Sequence, residues 1–181
     1  MKLLVVVASA TGRTRRMAEA LADGAREAGA KVLLRAPEET QDADLLEADA
    51  IALGSGVHMG GIASSMVALF ERSAPLWIAG RLRGKLGAAF VSGGEGERGG
   101  GELALLALWS WLAENGMLPV SVHNREPGFR DAGCHWGPLA RTNPKGGEPG
   151  PTEAQLQVCR AHGRHVAECT RRWLAGDTGA K

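Results

Sequence analysis

Two spacings of apolar residues alternate through this sequence of 181 residues. Unbroken apolar runs predict strands covered on both faces of a parallel sheet, at residues 2–8, 31–35, 48–54, 86–92 and 117–122. Apolar residues at helical spacing fill the intervals and predict helices at residues 16–28, 42–47, 62–73, 102–115 and 152–174. Alternating strands and helices joined by right-handed crossovers predict an α/β sandwich of three layers with a five-stranded parallel sheet.

A short turn rich in hydroxyl groups connects the first predicted strand to the first predicted helix. The turn reads Ser9-Ala10-Thr11-Gly12-Arg13-Thr14. At this position free backbone N–H groups and the positive end of a helix dipole point at an anion. The turn contains neither the Gly-Lys-Ser/Thr of a nucleotide triphosphatase loop nor the Gly-x-Gly-x-x-Gly of a dinucleotide loop. The turn therefore predicts a cradle for one terminal monophosphate, and an ordinary capped turn is the alternative.

Two glycine-rich segments, 54–61 and 92–101, follow the third and fourth predicted strands. Because the carboxyl ends of parallel strands meet at one edge of a sheet, both segments should lie beside the phosphate turn. Either segment alone is also explained as a flexible linker. Together, the three loops favour close backbone contact with a flat polar ligand such as a flavin.

Composition narrows the class of protein and its expected environment. The chain is 44% hydrophobic and 23% charged, which fits one domain, predicted over residues 1–176 with a tail at 177–181. Its formal net charge of +1 argues against nucleic acid or an anionic membrane as a partner. No apolar stretch is long enough to span a bilayer, and three cysteines do not suggest a disulfide framework. We therefore predict a cytoplasmic protein without membrane insertion.

The loops also carry a family resemblance. The turn at 9–14 resembles the flavodoxin phosphate loop, and the later segments resemble the WrbA family of NAD(P)H:quinone oxidoreductases. The matching segments follow the family order at 54–62, 65–66, 76–77, 80, 84–86, 92–101, 115–117, 146–147 and 151–153. The resemblance implies a flavodoxin-like doubly wound sandwich with strand order 2-1-3-4-5 and FMN as cofactor. It further implies NADH or NADPH as co-substrate and a homo-oligomer, a dimer or a tetramer.

The resemblance assigns roles to particular residues. The FMN phosphate would be held by Ser9, Thr11, Gly12, Arg13 and Thr14. One side of the isoalloxazine would be lined by Val57, His58, Met59 and Gly60, and the other by Ser92, Gly93, Gly94, Glu95 and Gly96. Trp77 matches a tryptophan that in the family reaches the active site of a neighbouring subunit.

Three features depart from the family pattern. Residues 56–59 read Gly-Val-His-Met where the family has Pro-Thr-Arg-Phe, and Asn115 replaces a family histidine near the ring. The connection at 36–48 is shorter than the family's longer insertion. These departures leave FMN binding as the prediction and bear on which electron acceptor the pocket takes.

Other side chains allow both a functional and a structural interpretation. His58 is expected to contact substrate or the flavin edge, or else to be an ordinary loop histidine. Glu95, Glu97 and Arg98 would steer a nicotinamide cofactor or form a solvated charge run. Trp136, expected past the fifth strand on the ligand edge, would cover the ring or pack within its loop.

Two further sets of side chains lie on predicted helices. Trp109 and Trp111 cannot share one helical face, so one is expected in the core and the other at a partner interface. Four potential metal ligands lie on the last helix, namely Cys159, His162, His165 and Cys169. One straight helix cannot wrap four ligands around an ion, so no metal site is predicted, and Cys159 is placed on the buried face.

The predicted function is a two-electron flavin reductase. NAD(P)H would reduce FMN and leave, and a quinone or similar small-molecule acceptor would then use the same pocket in a ping-pong cycle. The alternative is a flavodoxin-type one-electron carrier serving a protein partner. Such carriers are usually acidic around the ring and often stack a tyrosine on it, whereas this chain is nearly neutral and lacks tyrosine. A chain that keeps the fold without flavin is disfavoured by the intact phosphate turn.

Overall fold

The computed structural model describes residues 1–94, 100–143 and 149–176. The strands are β1 (Lys2–Ala8), β2 (Lys31–Arg35), β3 (Ala50–Gly56), β4 (Leu86–Gly93), β5 (Leu118–Pro119) and β6 (Leu139–Arg141). The helices are α1 (Arg13–Glu27), α2 (Asp42–Glu47), α3 (Ser64–Arg72), α4 (Ala74–Ile78), α5 (Gly101–Glu114), α6 (Phe129–Ala132) and α7 (Glu153–Gly176). The predicted tail at 177–181, the motif at 146–147, and Glu95, Gly96, Glu97 and Arg98 lie outside the described residues.

The sheet is parallel and has the strand order β2-β1-β3-β4-β5, which confirms the predicted order. A sixth strand, β6, also pairs with β4, so the prediction of five strands is wrong in number. β5 lies beside the first residues of β4, with Leu118 opposite Leu86, and β6 lies beside the last ones, with Leu139 opposite Val91. The edge of the sheet is thus built from two short strands.

The predicted fifth strand, 117–122, forms only over Leu118–Pro119, because Val120 and Val122 are buried outside the sheet. After Val120, whose N–H donates to the carbonyl of Gly87, the chain leaves β4. Val120 and Val122 are buried in the core below α7, and the Val122 N–H donates to the carbonyl of His135 in the returning segment. The apolar run therefore predicted correctly that Val120 and Val122 are buried, but it did not show whether they pair with a neighbouring strand.

The core has two halves, one on each face of the sheet. Along β1, alternate residues point to opposite faces: Leu3, Val5 and Val7 pack with α1 and α7, whereas Leu4, Val6 and Ala8 pack with α2 to α5. Because both faces are covered, the strand is apolar without interruption, as predicted.

Helices α1 and α7 cross in direct backbone contact. A Cβ atom on Gly24 would lie 1.8 Å from the carbonyl oxygen of Arg160, and one on Gly163 would lie 1.9 Å from that of Leu21. Glycine at both positions therefore lets the helices approach to backbone distance. This packing buries one face of α7 and confirms that Cys159 lies on that face.

The remaining potential metal ligands of α7 have structural surroundings. His162 is fully buried and its Nε2 donates a hydrogen bond to the carbonyl of Val120 at 2.9 Å. Burial lowers the pKa of His162 to about 4 and raises the pKa of the Cys159 thiol. Within residues 1–94, 100–143 and 149–176, no three His, Cys, Asp or Glu side chains are grouped so as to hold a metal ion.

The expectation that only one of two neighbouring tryptophans is in the core is wrong. Trp111 stacks on Phe70 of α3 with ring centroids 4.8 Å apart, and Trp109 donates from Nε1 to the carbonyl of Trp136 at 2.6 Å. Both are buried because α5 has a neighbour on each flank, which helical geometry alone does not reveal.

None of the helices described here has the length and apolar character that a membrane span needs.

Candidate functional site

Three loops leave the carboxyl edge of the sheet side by side. β1, β3 and β4 are adjacent, and the register pairs Ala8 with Ser55 and Gly56 with Ser92. The segments that follow these strands therefore emerge at one level, as the sequence predicts. The loop after β3 begins at Val57 and not at Gly54, because β3 continues through Gly56.

The turn at 9–14 ends in an open helix N-terminus. Gly12 precedes α1 with a left-handed φ of 81°, and its position carries no side-chain cap. The first turn of α1 contains no acidic residue. Ser9 Oγ accepts the N–H of Arg15 at 3.2 Å, which leaves the N–H groups of Arg13 and Thr14 without a hydrogen-bond partner among the described residues. This donor set fits a phosphate.

The side chains of the turn differ in accessibility. Thr11 and Gly12 are exposed, and Ser9 and Arg13 are half-buried. Thr14 is buried, and its Oγ1 lies 2.7 Å from the Oγ of Ser92 at the end of β4. The turn is thus joined by a hydroxyl pair to one of the neighbouring loops.

The loop after β3 contains a tight turn with two residues at its tip. The N–H and carbonyl groups of His58 and Gly61 bond each other, both at 2.9 Å. Met59 and Gly60 form its tip with φ values of 48° and 85°, and the Met59 side chain is fully exposed. A left-handed conformation at a residue other than glycine is strained, so the surroundings hold this tip in place.

His58 folds back toward the phosphate turn. A Cβ atom on Gly56 would lie 3.4 Å from its Nε2 and 3.5 Å from Thr14 Oγ1. His58 also lines a cavity of about 390 Å³, together with Ser9, Arg15 and Ser64. His58 is therefore brought beside the phosphate turn.

The loop after β4 is described at its two ends. Gly93 accepts the N–H of Thr142 at 2.8 Å and its hydroxyl at 2.9 Å, and Gly94 is exposed. At the other end, a Cβ atom on Gly100 would lie 3.4 Å from Cγ1 of Val57. The loops after β3 and β4 thus touch, and Ser92 Oγ reaches the phosphate turn.

Sequence reasoning did not identify Ser55 or Thr142 at this edge. Ser55 Oγ accepts the N–H of Ala63 at 2.9 Å and donates to the carbonyl of Gly56 at 2.7 Å, so it shapes the loop after β3. Ser55 lies inside a glycine-rich motif, which is a sequence signal that could have identified it. Thr142 follows a strand that the sequence did not predict, and it carried no such signal.

The two exposed tryptophans of the predicted site lie away from the three loops of their own chain. Trp77 is on α4, and the nine-residue α3 (about 14 Å long) separates it from the loop after β3. Gly137, next to Trp136, packs on Ala89, which is about 13 Å of strand from the end of β4 at Gly93. Trp136 was expected beyond a continuous fifth strand. Because that strand ends at Pro119, Trp136 lies beside the middle of the sheet.

Asn115 is also remote from the loops. It is buried at the far end of α5, where its Nδ2 donates to the carbonyl of Trp111 at 2.9 Å. The fourteen residues of α5 (about 21 Å) lie between Asn115 and the loop after β4. Asn115, which replaces the family histidine, is therefore remote from the three loops of its own chain.

A larger cavity of about 560 Å³ lies at the opposite edge of the sheet and includes Arg83, Lys85 and Arg172 in its wall. Lys85 Nζ donates to the carbonyls of Leu45, Leu46 and Ala48 at the end of α2. Burial lowers the pKa of Lys85. Since helices α2 and α7 direct their negative ends here, this edge is less suited to an anion than the turn at 9–14.

The 2-1-3-4-5 parallel sheet with a phosphate-type turn after β1 defines a flavodoxin-like protein. Residues 4–93 match the model of a flavodoxin domain. A solved flavodoxin, a WrbA-like protein from Agrobacterium tumefaciens, superposes with a TM-score of 0.75 at 26% identity, covering 94% of this chain and 98% of that one. A flavodoxin from the domain Archaea gives 0.72 at 27% identity, covering 94% and 99%.

Curated relatives identify the branch of this fold. An NAD(P)H dehydrogenase (quinone) from Archaeoglobus fulgidus is 33% identical, covering 92% of this chain and 96% of the relative. One from Methylocella silvestris is 34% identical with the same coverage. The chain belongs to the NAD(P)H dehydrogenase (quinone) family and is an oxidoreductase.

Proposed function

We propose that this protein is an FMN-dependent enzyme that transfers hydride from NADH or NADPH to a small quinone-like acceptor. The observation that carries the proposal is the open N-terminus of α1, which has no acidic residue in its first turn and lies at the same edge of the sheet as two glycine-rich loops. The names of the relatives support the choice of nicotinamide donor and quinone acceptor.

The proposed phosphate site uses the accessible groups of the turn at 9–14. The N–H groups of Arg13 and Thr14, the Thr11 hydroxyl and the half-buried Ser9 are the donors for one monophosphate. Gly12 keeps the approach free of a side chain, since a Cβ atom there would meet nothing within 4 Å. Arg13 adds positive charge beside the helix end.

The two other loops are the proposed walls of the ring site. We propose that the segment from Val57 to Gly60 lines one side of the ring and that Ser92, Gly93 and Gly94 line the other. Glu95 and Gly96, which were assigned to the second side, lie outside the described residues. Within the first segment, His58 is the residue beside the phosphate turn. Bound FMN would supply the two-electron chemistry of hydride transfer. Backbone N–H groups of the glycine-rich walls would stabilise negative charge on the ring, as donors do in an oxyanion hole.

We propose that the two substrates use this pocket in turn. Both must reach the same ring, so the oxidised nucleotide leaves before the acceptor enters. A ping-pong order predicts parallel lines when reciprocal initial rate is plotted against reciprocal NAD(P)H concentration at several quinone concentrations. Intersecting lines would contradict the order without affecting the flavin assignment.

We further propose that the functional protein is a homo-oligomer. Large apolar side chains are exposed on α3, α4 and α5, which cover one face of the sheet: Val67, Trp77, Ile78, Leu103 and Leu106. A second copy covering this surface would remove these side chains from water. It would also give Trp77, remote from its own loops, a neighbouring subunit to contact.

The experiment that tests the function is an anaerobic visible titration of the protein with FMN bound. We expect flavin absorbance to bleach with NADH or NADPH and to return when a quinone is added. Bound flavin that neither nucleotide reduces would contradict the reductase and favour a carrier supplied with electrons by a protein. Failure to retain FMN would contradict the proposed cofactor.

A further inference from the structure

A buried pair of hydroxyl groups connects the phosphate turn to the end of β4. Thr14, in the first turn of α1, and Ser92, the penultimate residue of β4, approach to 2.7 Å between Oγ1 and Oγ. Their residues are 2% and 6% exposed. The pair joins positions that are 78 residues apart in sequence, so it forms only when the sheet and α1 are assembled.

Ser92 also contacts the third loop. Its carbonyl oxygen accepts the N–H of Val57 at 2.8 Å, at the start of the turn that contains His58. Thr14 faces the same segment, since a Cβ atom on Gly56 would lie 3.5 Å from Thr14 Oγ1. One residue therefore bonds to both other loops of the proposed flavin site, through its side chain to one and its backbone to the other.

The pairing changes the role assigned to these hydroxyls. Each hydroxyl has one hydrogen, and one of the two hydrogens is used between Thr14 and Ser92. Thr11 and Ser9 are more accessible than the pair and provide the hydroxyls that a phosphate can reach. The resemblance to flavodoxins, in contrast, assigned Thr14 and Ser92 to the cofactor directly.

We propose that Thr14 and Ser92 are positioning residues that set the spacing of the three loops before FMN binds, and that neither hydroxyl is a phosphate ligand. The proposal rests on the flavin site proposed above. A site held in its binding geometry avoids the ordering cost that binding would otherwise carry, so breaking the pair should weaken binding of the whole flavin.

Equilibrium binding of FMN and riboflavin separates positioning from phosphate contact. We expect Ser92→Ala and Thr14→Val each to lower the affinity for FMN and the affinity for riboflavin by the same factor. That factor should be about tenfold, which corresponds to the loss of one hydrogen bond. The double variant should be no weaker than either single variant, because the same interaction is lost in all three. Thr14→Ser keeps the hydroxyl and should retain most of the affinity.

Thr11→Val is the matched control for a direct phosphate contact, because Thr11 lies in the same turn and is exposed. We expect Thr11→Val to lower the affinity for FMN and to leave the affinity for riboflavin unchanged. Ser73→Ala and Thr170→Val remove buried hydroxyls that donate only to carbonyls of their own helical segments, and they should leave both affinities unchanged. If Ser92→Ala or Thr14→Val weakened FMN selectively, or if their effects were additive, the proposal would be overturned.

A measurement without cofactor keeps the test independent of the proposed function. In flavin-free protein, we expect the amide hydrogen of Val57 to exchange at least fivefold faster in Ser92→Ala and Thr14→Val than in the wild type. Unchanged exchange would overturn the positioning role even if the wild type bound no flavin. Binding of FMN by the wild type with unaltered affinity in both variants would overturn it while leaving the flavin site intact.

Discussion

Single residues at this edge serve packing as often as they face a ligand. Gly54 was predicted as part of a ligand loop, yet a Cβ atom there would lie 2.1 Å from the ring of Phe90, so this glycine makes room in the core. Gly12, in contrast, has open space around it and a left-handed backbone at the helix N-terminus. The sequence placed both glycines in loops at the predicted ligand edge. Only their contacts show that Gly54 packs in the core and that Gly12 faces open space.

His162 is the residue whose protonation should dominate a pH effect on stability. Its Nε2 donates to Val120, and its buried Nδ1 has no partner among the described residues. Burial lowers its pKa from 6.5 to about 4, so the unfolded chain takes up a proton at a pH where the folded chain does not.

We therefore expect the free energy of unfolding to fall as pH decreases from about 6.5 to about 4, by about 3 kcal/mol from this residue. Urea unfolding of wild type and His162→Gln between pH 4 and pH 7.5 measures the effect. The glutamine variant should lose much of the slope, whereas His123→Gln, at an exposed position, should retain it. Equal slopes for wild type and His162→Gln would contradict the assignment.

Among the elements, the contact between α1 and α7 depends most sharply on two small residues. Gly24 and Gly163 allow the two helices to touch through their backbones. Helical periodicity placed Cys159 on the buried face of α7, and Gly163, four residues later, shares that face. The sequence did not show that Gly163 opposes Leu21. The distance between helices is a property of the pair and cannot be inferred from either alone.

We expect Gly163→Ala to destabilise the protein by at least about 2 kcal/mol, because its Cβ would overlap the carbonyl of Leu21. This loss should exceed the gain of about 1 kcal/mol that alanine brings to a helix interior. Gly176→Ala, in the same helix with nothing within 4 Å, is the control and should be close to neutral. Chemical denaturation compares both with wild type, and a fully stable Gly163→Ala would show that the crossing can relax.

For the whole molecule, the apolar surface on α3, α4 and α5 leads to a prediction about assembly. Ile78 is 76% exposed, so Ile78→Asp should not perturb the folded chain itself. If a second copy covers this surface, the substitution should shift the protein to monomer by burying an unpaired charge. Light scattering after size-exclusion chromatography measures the mass.

The control for assembly is Leu174→Asp, which alters an exposed apolar residue at the end of α7. It should retain the mass of the wild type. A wild type that is monomeric at tens of micromolar, or an Ile78→Asp variant that assembles normally, would rule out this surface as the contact between copies.

The sequence alone was sufficient for features set by local chemistry and by strand order. Apolar runs required a sheet covered on both faces, and the hydroxyl-rich turn after β1 identified the edge where a phosphate fits. Because parallel strands end at one edge, the three loops could be placed together without knowing any contact between them.

Tertiary structure decided everything that depends on which segments meet. The fifth strand ends at Pro119 because Val120 and Val122 are buried outside the sheet, and this places Trp136 away from the carboxyl edge of the sheet. The Thr14 and Ser92 hydroxyls pair across 78 residues, which no local pattern records. Local patterns show which residues are buried and which form turns. The residues that contact each other are determined by the packing of the whole chain, and that packing also determines the contacts among the three loops.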